Sequence, residues 1–414
     1  MSFRKLHIVA NTSSSTEAFA RRTNELSRFI SGLARQESEL VRGLKGGQSI
    51  SLIRVDNEES GFSEDGPIRR HILSLHQLTS HANPNDIYRA SSDLKELQNH
   101  FEPIIESMRK TIVSESADVV LLGGTYYVPW CLLKAARSAS KPVVLCYAGI
   151  LSREIAHLPE QMRSVLKIME QDFYDPSIFY IFPSELTRIE VERIFNKHLT
   201  NYEVVFNGVP EEFLGFREDS AKKEVHIAFV GRFTSVKNPE FLLELATTLK
   251  AMGKEMNIHM VTRTDEYNPK AQQLRSIGVI VLPPMNTSSL GGFYRRSHLL
   301  ISPSHFETYG NAPLEAVSSG TPALVSERMG VSEVFRLLGL TDLIIDFSDV
   351  RNVIRKIDEM LGNGFRIKSD IITKIRENLS WSKVIIRYLG ICAKQAEKAT
   401  PSSPEQPPSR LLQP

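Results

Sequence analysis

The segment SPSHFETYGNAPLEAVSSGTPALVS, residues 302–326, places a turn between two apolar runs and an acidic residue on either side of that turn. The preceding run HLLIS is continuous enough for a buried strand, with the chain leaving the sheet at Ser304. Gly310 supplies the backbone freedom for the turn, Asn311 is the predicted N-cap, and Pro313 suits the first helical turn. The segment therefore predicts a strand, a turn and a packed helix, as in α/β proteins.

The two glutamates that flank the turn are the first candidate site residues. Glu307 lies in the predicted loop and Glu315 in the predicted first turn of the helix. Between them are the backbone amides of Gly310, Asn311 and Ala312, and a helix amino terminus attracts anions such as phosphate. Carboxylates accept hydrogen bonds from sugar hydroxyls, so the pattern outlines a nucleotide sugar. The alternatives are that one glutamate only complements the helix dipole and the other is a solvated loop acid.

A second candidate anion site follows another buried strand, in HIAFVGRFTSVKNPEFLLELA, residues 226–246. The strand ends at Gly231, Arg232 comes next, and Lys237 follows before a helix whose predicted N-cap is Asn238. Both cations would project from the carboxyl end of a strand, where a departing diphosphate needs its charge neutralised. The alternative is that both are solvated loop cations.

Short apolar runs alternate with helical stretches along the whole chain. Runs that are continuously apolar are typical of parallel strands covered by helices on both faces. The order predicts an α/β fold with two Rossmann-like, doubly wound parallel sheets that face each other across a cleft. The predicted strands are LHIVA, SISLIRV, DVVLLGG, PVVLCYAG, IFYIFPS and YEVVFNG in the first half, and HIAFVGR, NIHMVT, GVIVLPP, LLISPS, TPALVS and LIIDFS in the second.

Composition shifts divide the chain into five predicted segments. The stretch DNEESGFSEDG, residues 56–66, is acidic and predicts a surface loop within the first of them. The predicted segments are a first Rossmann-like domain at residues 1–208, a linker at 209–223, a second Rossmann-like domain at 224–378, a closing helix at 379–398, and a disordered tail at 399–414.

The totals exclude several classes of function. The 414 residues are 41% hydrophobic and carry a formal net charge of +2, which argues against nucleic acid as the main partner. The 3 cysteines form no CxxC motif, so a structural metal is not expected. Their odd number is typical of a protein in a reducing compartment. The apolar stretch in the amino-terminal segment MSFRKLHIVAN is too short to be the core of a signal peptide. The protein is therefore expected in the cytoplasm.

These segments resemble the retaining GT-B glycosyltransferases of family 4, the glycosyl transferases group 1. The resemblance rests on the GR…K loop, on the E-x7-E pattern from Glu307 to Glu315, and on FNGVPEEFLGF and SWSKVIIRY; it extends over residues 200–395. It implies transfer with retention from a UDP-, GDP- or ADP-linked sugar, with no cofactor and no divalent metal. It also implies that the first domain lies on the acceptor side, that the second binds the donor, and that the closing helix crosses back to the first domain. The acceptor, the linkage and the oligomeric state stay open.

The resemblance also implies roles for individual residues. Arg232 and Lys237 would hold the donor diphosphate, Glu315 would accept from the ribose, and Glu307 would contact the transferred sugar. The amides of residues 310–312 would bind sugar hydroxyls or the distal phosphate. The segment VLPPMNTSSLGGFY would contact the base through Pro284 and Met285, with Leu290 packing nearby.

The first half departs from the family. A serine loop, Ser13, Ser14 and Ser15, stands where many members have glycines; its hydroxyls and amides are candidates to bind a phosphate or the acceptor, and the alternative is an ordinary polar loop. No histidine stands at Ala148 or Gly149, where many members have one. Two tyrosines, Tyr126 and Tyr127, are candidates for the acceptor side. The helix predicted after the first strand carries four cations, which predict either a solvated face or peripheral contact with an anionic membrane. They are Arg21, Arg22, Arg28 and Arg35.

Three alternatives to a glycosyltransferase are a phosphorylase, an epimerase and a non-catalytic homologue. A phosphorylase on this scaffold would need a lysine that binds pyridoxal phosphate, and no matching motif is found. An epimerase of similar architecture would lack the E-x7-E pattern. A catalytically weak homologue that binds nucleotide sugars and acts as a scaffold for a partner remains, because the first half diverges from the family.

Overall fold

Two parallel β-sheets, one in each half of the chain, organise the structure. The computed structural model describes residues 5–12, 39–44, 47–57, 59–156, 158–215, 224–263 and 268–399. Each sheet is covered by helices and is called here, with those helices, the amino-terminal or the carboxy-terminal domain. The two-sheet α/β architecture predicted from the strand runs is confirmed.

The amino-terminal sheet has 8 strands in the order β3-β4-β2-β1-β5-β6-β7-β8, parallel except for the antiparallel edge strand β3. Its strands are β1 Leu6–Asn11, β2 Gln48–Asp56, β3 Gly61–Asp65, β4 Ile68–Ser74, β5 Val119–Gly123, β6 Val143–Cys146, β7 Phe179–Phe182 and β8 Tyr202–Val204. The labelled helices are α1 Leu75–Thr79, α2 Pro84–Ala90, α3 Leu94–Ser114, α4 Tyr127–Ser138, α5 Leu151–Glu154, α6 Glu160–Gln171 and α7 Glu185–Phe195.

The carboxy-terminal sheet has 6 parallel strands in the order β11-β10-β9-β12-β13-β14. Its strands are β9 Val225–Val230, β10 Met256–Val261, β11 Ile280–Leu282, β12 Leu299–Ser302, β13 Ala323–Ser326 and β14 Ile344–Ile345. The helices that follow are α8 Glu240–Ala251, α9 Pro269–Ser276, α10 Thr287–Arg296, α11 Asn311–Ser318, α12 Val331–Leu337, α13 Val350–Gly362, α14 Ser369–Leu379 and α15 Trp381–Ala399. Short 3₁₀ turns occupy Glu211–Phe213, Ser235–Lys237 and Thr341–Leu343.

The β3–β4 hairpin corrects one prediction. Residues 56–66 were expected to be a surface loop, yet Gly61–Asp65 forms the edge strand β3. Every residue of β3 is exposed, so the strand is held by its backbone pairing with β4 and leaves no apolar pattern in the sequence.

Helix α15 belongs to the amino-terminal core although it ends the described chain. Its residues Trp381, Ile385 and Leu389 pack in one buried cluster with Ile8 and Val144 of the amino-terminal sheet. The chain therefore crosses between the domains twice, once before β9 and once before α15. No helix in the described ranges combines the length and the apolar character needed to cross a bilayer.

The two crossings lie side by side. The amide of Val209 donates to the carbonyl of Leu379 at 2.7 Å, and the amide of Trp381 donates to the carbonyl of Val209 at 3.3 Å. A Cβ added at Gly208 would lie 2.6 Å from the Trp381 ring and 2.8 Å from the Trp381 Cα. Gly208 is therefore required where the two segments meet.

Gly208→Ala is expected to lower the free energy of unfolding by about 1–3 kcal/mol, because the new methyl group overpacks this crossing. The measurement is urea unfolding followed by circular dichroism. The matched control is Gly390→Ala in α15, where an added Cβ meets nothing within 4 Å and alanine is favoured by about 1 kcal/mol. Equal stability of the two variants would contradict the steric argument.

Candidate active site

The carboxyl ends of β9 and β12 bring the two predicted segments together. These strands are hydrogen-bonded neighbours, with Leu299 beside Ile227. Beyond the sheet the amide of His305 donates to the carbonyl of Val236 at 2.8 Å, so the loop after β12 runs along the loop after β9. Residues far apart in the sequence thus face one another at this edge.

Lys237 and Glu307 form an ion pair at the centre of this edge. The Lys237 ammonium donates to Glu307 Oε1, and the side chains are only 19% and 14% exposed. Ser304 Oγ donates to the same carboxylate oxygen at 3.0 Å. Two of the predicted site residues are thus in direct contact, and Ser304 is an additional partner that was not among them.

Arg232 lies nearer to the amino-terminal domain. Its guanidinium Nη2 is 3.7 Å from Glu154 Oε1 of α5, and both side chains are about half exposed. Gly231 precedes it and lies beneath the Lys237 stem, since an added Cβ would be 3.6 Å from Lys237 Cδ. The two predicted cations therefore share one loop but contact carboxylates of different domains.

Helix α11 begins one residue earlier than an Asn311 cap would require. Gly310 is the N-cap residue, with φ of 95°, a left-handed value that favours glycine, and Asn311 is the first helical residue. Asn311 Oδ1 accepts from Asn207 Nδ2, in the segment that follows β8, at 3.0 Å. The first amides of a helix, which include those of Asn311 and Ala312, have no partners within the helix, so this start is suited to anion binding.

Glu315 lies deeper than expected. It is the fifth residue of α11, and so belongs to the second turn; its residue is 4% exposed. Tyr294 of α10, itself fully buried, donates its hydroxyl to Glu315 Oε2 at 3.1 Å. Tyr294 was not among the predicted site residues; a polar aromatic residue at a buried helix position is the signal for it in the sequence.

The start of α8 also differs from the prediction. Asn238 is in the left-handed region at φ 53°, and the helix begins at Glu240 with Pro239 as its cap residue. Asn238 instead reaches across, and its Nδ2 donates to the carbonyl of Pro303 at 3.3 Å. Its side chain thus joins the two loops of the site.

The predicted base-contact residues follow the carboxyl end of β11. Pro284 and Met285 are half-buried, and Met285 packs against the carboxy-terminal core. Leu290 in α10 is only 5% exposed and belongs to that core. Pro284 and Met285 thus retain accessible surface, whereas Leu290 supports them from within.

On the amino-terminal side the structure separates the two tyrosines. Tyr126 is half-buried at the start of α4, whereas Tyr127 is 3% exposed and stacks on Phe101 at 5.3 Å. Tyr127 is therefore a core residue, which corrects its prediction as an acceptor-side side chain. The serines Ser13, Ser14 and Ser15 and the cations Arg21, Arg22, Arg28 and Arg35 lie outside the described residues.

A buried glutamate supports the segment that follows β6. Glu170 is fully buried and accepts from the amides of Leu151 and Ser152 at 2.7 and 2.9 Å and from the Tyr147 hydroxyl at 3.2 Å. Burial raises the pKa of Glu170 despite these hydrogen bonds. The hydrogen bonds from the amides of Leu151 and Ser152 fix the start of α5. The last residue of α5 is Glu154, which lies beside Arg232. Across the described ranges, no group of three or more His, Cys, Asp or Glu side chains is placed to hold a metal ion.

Comparison with known proteins connects this geometry to a family. Residues 211–378 match the family Glycosyl transferases group 1. The chain is 26% identical over 220 residues to a D-inositol 3-phosphate glycosyltransferase of Geodermatophilus obscurus, covering 49% of this chain and 46% of that protein. A Mycobacterium protein with the same name is 26% identical over 214 residues, with 47% of each chain covered. The chain spans about half the length of these curated relatives.

Solved structures match over nearly the whole chain. Sucrose-phosphate synthase from Thermosynechococcus elongatus has a TM-score of 0.72 at 13% identity, covering 95% of this chain and 100% of that one. A glycosyltransferase from Rickettsia africae has a TM-score of 0.66 at 14% identity, covering 96% and 100%. Such low identity speaks for the fold alone. Residues 211–378 are thus similar to the glycosyl transferases group 1, and the chain has the two-domain GT-B fold.

Proposed function

We propose that the protein is a retaining, metal-independent glycosyltransferase that moves a sugar from a nucleotide diphosphate sugar to an acceptor hydroxyl. The observation that carries the proposal is the direct contact of Lys237 with Glu307 at the ends of two neighbouring strands. The amino terminus of α11 begins just after this pair and adds unpaired amides. An ammonium, a carboxylate and open amides are the groups that a sugar diphosphate requires.

The proposed reaction breaks the bond between the anomeric carbon and the diphosphate oxygen. Negative charge develops on the leaving diphosphate, where Lys237, Arg232 and the start of α11 are placed to stabilise it. The acceptor oxygen attacks the anomeric carbon from the face that the diphosphate leaves, and its proton passes to the departing phosphate oxygen. The new glycosidic bond therefore keeps the original anomeric configuration. Lysine has three N–H donors, so Lys237 can contact phosphate while it keeps Glu307.

Positive charge from the protein takes the part that a divalent cation plays in other transferases. Arg232 and Lys237 share one loop, and the dipole of α11 contributes further partial charge. Glu307 is proposed to accept hydrogen bonds from hydroxyls of the transferred sugar, and Glu315 to accept them from hydroxyls of the ribose. Pro284 and Met285 are proposed to lie against the base. No cofactor is needed for this chemistry, since the nucleotide sugar is a co-substrate.

The names of relatives bear on substrate class. The curated relatives are named D-inositol 3-phosphate glycosyltransferases, and one solved structural neighbour is described with bound UDP-2-fluoro glucose. We propose a nucleotide-linked hexose as donor on this basis. The acceptor is proposed to be a hydroxyl compound held by the amino-terminal domain, which could be a glycan, a lipid carrier or a small metabolite.

A catalytically weak homologue that binds nucleotide sugars is the second candidate. It is favoured by the absence of a histidine near Ala148 and by the contact of Arg232 with Glu154. Such a protein would bind the donor without consuming it, whereas an enzyme transfers or hydrolyses it.

A thermal-shift screen against UDP, GDP and ADP sugars tests donor binding. A ligand at 100 times its Kd adds about 2.7 kcal/mol to the stability of the folded state. The sugar that raises Tm is then incubated with the protein, and nucleotide diphosphate release is measured with and without candidate acceptors. Release supports the transferase, and binding without release supports the second candidate. No shift with any of the sugars would contradict both.

Glu315→Ala is expected to raise KM for the donor by about 10- to 100-fold, because it removes a carboxylate that accepts charge-assisted hydrogen bonds. The measurement is initial rate against donor concentration. Tyr294→Phe is the companion variant, because it removes only the hydroxyl bonded to Glu315 Oε2, and a smaller rise in KM is expected. An unchanged KM in Glu315→Ala would place the ribose elsewhere.

A further inference from the structure

The loop that carries Glu307 is docked on the amino-terminal domain. The carbonyl of Thr308 accepts from Ser184 Oγ at 2.6 Å and from Thr187 Oγ1 at 2.8 Å, both at the start of α7. In the opposite direction, Thr308 Oγ1 donates to the carbonyl of Ala148 at 2.9 Å. The residue next to Glu307 thus makes three hydrogen bonds across the domain boundary.

Glu333 makes a second contact with the same helix. Its carboxylate oxygens accept from the amides of Glu185 and Leu186, at 2.9 and 2.8 Å. These are the first two residues of α7, whose amides have no partners within that helix. The N-cap Ser184 accepts from the amide of Thr187 at 3.1 Å. A carboxylate from the other domain therefore completes the capping of α7, in the position where the helix dipole favours negative charge.

No space separates the two domains at this contact. A Cβ added at Gly330 would lie 2.2 Å from the Thr308 carbonyl oxygen and 2.5 Å from Ser184 Oγ. Nearby, the guanidinium of Arg153 lies over the ring of Phe306, 5.4 Å from its centroid. The polar contacts are thus made in a closely packed setting, where water cannot readily replace them.

The backbone links Glu333 to Glu307. The Glu307 amide donates to the carbonyl of Arg328, and the Gly330 amide donates to the carbonyl of Glu307, both at 3.1 Å. Glu307 is thereby held in a bridge with the segment that leads into α12, and Glu333 lies in the first turn of α12. The position of Glu333 on α7 therefore constrains the position of Glu307.

We propose that Glu333 is a positioning residue: its carboxylate on the α7 amides, with Thr308 between Ser184 and Ala148, forms an interdomain clamp that sets the Glu307 loop against the amino-terminal domain. The inference rests on the proposed function for its kinetic consequence. The clamp itself is independent of that function, because every contact is made within this chain.

Hydrogen exchange of the wild-type full chain and of Glu333→Gln and Glu333→Ala tests the clamp. Peptides that cover Glu185 and Leu186 are expected to exchange about 10- to 100-fold faster in Glu333→Ala, and to a smaller extent in Glu333→Gln, because a charge-assisted pair of bonds is lost. Small-angle scattering should show a larger radius of gyration. The control is Glu327→Ala, which removes an exposed carboxylate paired within its own domain to Arg336.

The kinetic readout separates this inference from the proposed function. With the donor found by the screen, Glu333→Ala is expected to lower kcat by about tenfold or more, with a smaller change in donor KM, and Glu333→Gln to recover part of the loss. Faster exchange in a protein that transfers no sugar would sink the proposed function and leave the clamp intact. Unchanged exchange and scattering in both variants would overturn the clamp, whatever their activity.

Discussion

Lys237→Met is expected to lower kcat for sugar transfer by about 10²- to 10³-fold, which corresponds to about 2.7–4 kcal/mol of transition-state stabilisation. Methionine keeps most of the apolar stem but removes the ammonium that contacts Glu307 and is placed to meet the diphosphate. Single-turnover measurements at saturating donor isolate the chemical step from binding.

The control for this variant is Lys254→Met. Lys254 also pairs with a carboxylate of the same domain, Asp358, at 2.7 Å. It lies between α8 and the start of β10, at the edge of the sheet opposite the carboxyl ends of the strands. Its loss should leave kcat unchanged within error. A rate for Lys237→Met close to that of the wild type would exclude this lysine from the reaction.

Glu307→Ala is expected to abolish measurable transfer, because it removes both the proposed sugar contact and the partner of Lys237. It also leaves an ammonium with little exposure unpaired, so its Tm should fall. Glu307→Gln separates the two effects: the amide oxygen can still accept from Ser304, and stability should be largely retained while transfer is lost. Activity and thermal unfolding are measured on the same preparations.

The double variant Lys237→Met with Glu307→Gln completes the comparison. If the two side chains act as a pair, the stability loss of the double variant should be less than the sum of the single losses. Asp358→Ala serves as the control for Glu307→Ala, since it breaks the pair with Lys254 on the far side of the domain. Full transfer activity in Glu307→Gln would remove this carboxylate from the mechanism.

Much of the fold was predictable because buried parallel strands are continuous apolar runs. Each of the twelve runs coincides with a strand, from Leu6–Asn11 to Ile344–Ile345. The hairpin of β3 and β4 was missed because β3 is stabilised by pairing at the edge and carries no buried side chain. A continuous apolar run indicates a buried strand, and an exposed edge strand such as β3 has no such run in its sequence.

The site was predictable only in part, for a related reason. The sequence shows that Lys237 and Glu307 each follow the end of a strand, but their contact depends on β9 and β12 being neighbours in the sheet. Tyr294 and Glu333 were missed because each acts on a residue that is remote in the chain. Such pairings are set by tertiary packing, and local patterns contain no information about them.

The return of α15 to the amino-terminal sheet has a consequence for the order of events during biosynthesis. Residues 224–379 leave the ribosome before Trp381 and the rest of α15, which supply one side of the core around Ile8 and Val144. The later half of the protein can therefore complete its own core first, while the earlier half still lacks the helix that packs on one face of its sheet. Domains of multidomain chains commonly fold in order from the amino terminus, and in this chain the amino-terminal core can be completed only after the carboxy-terminal domain has been synthesised.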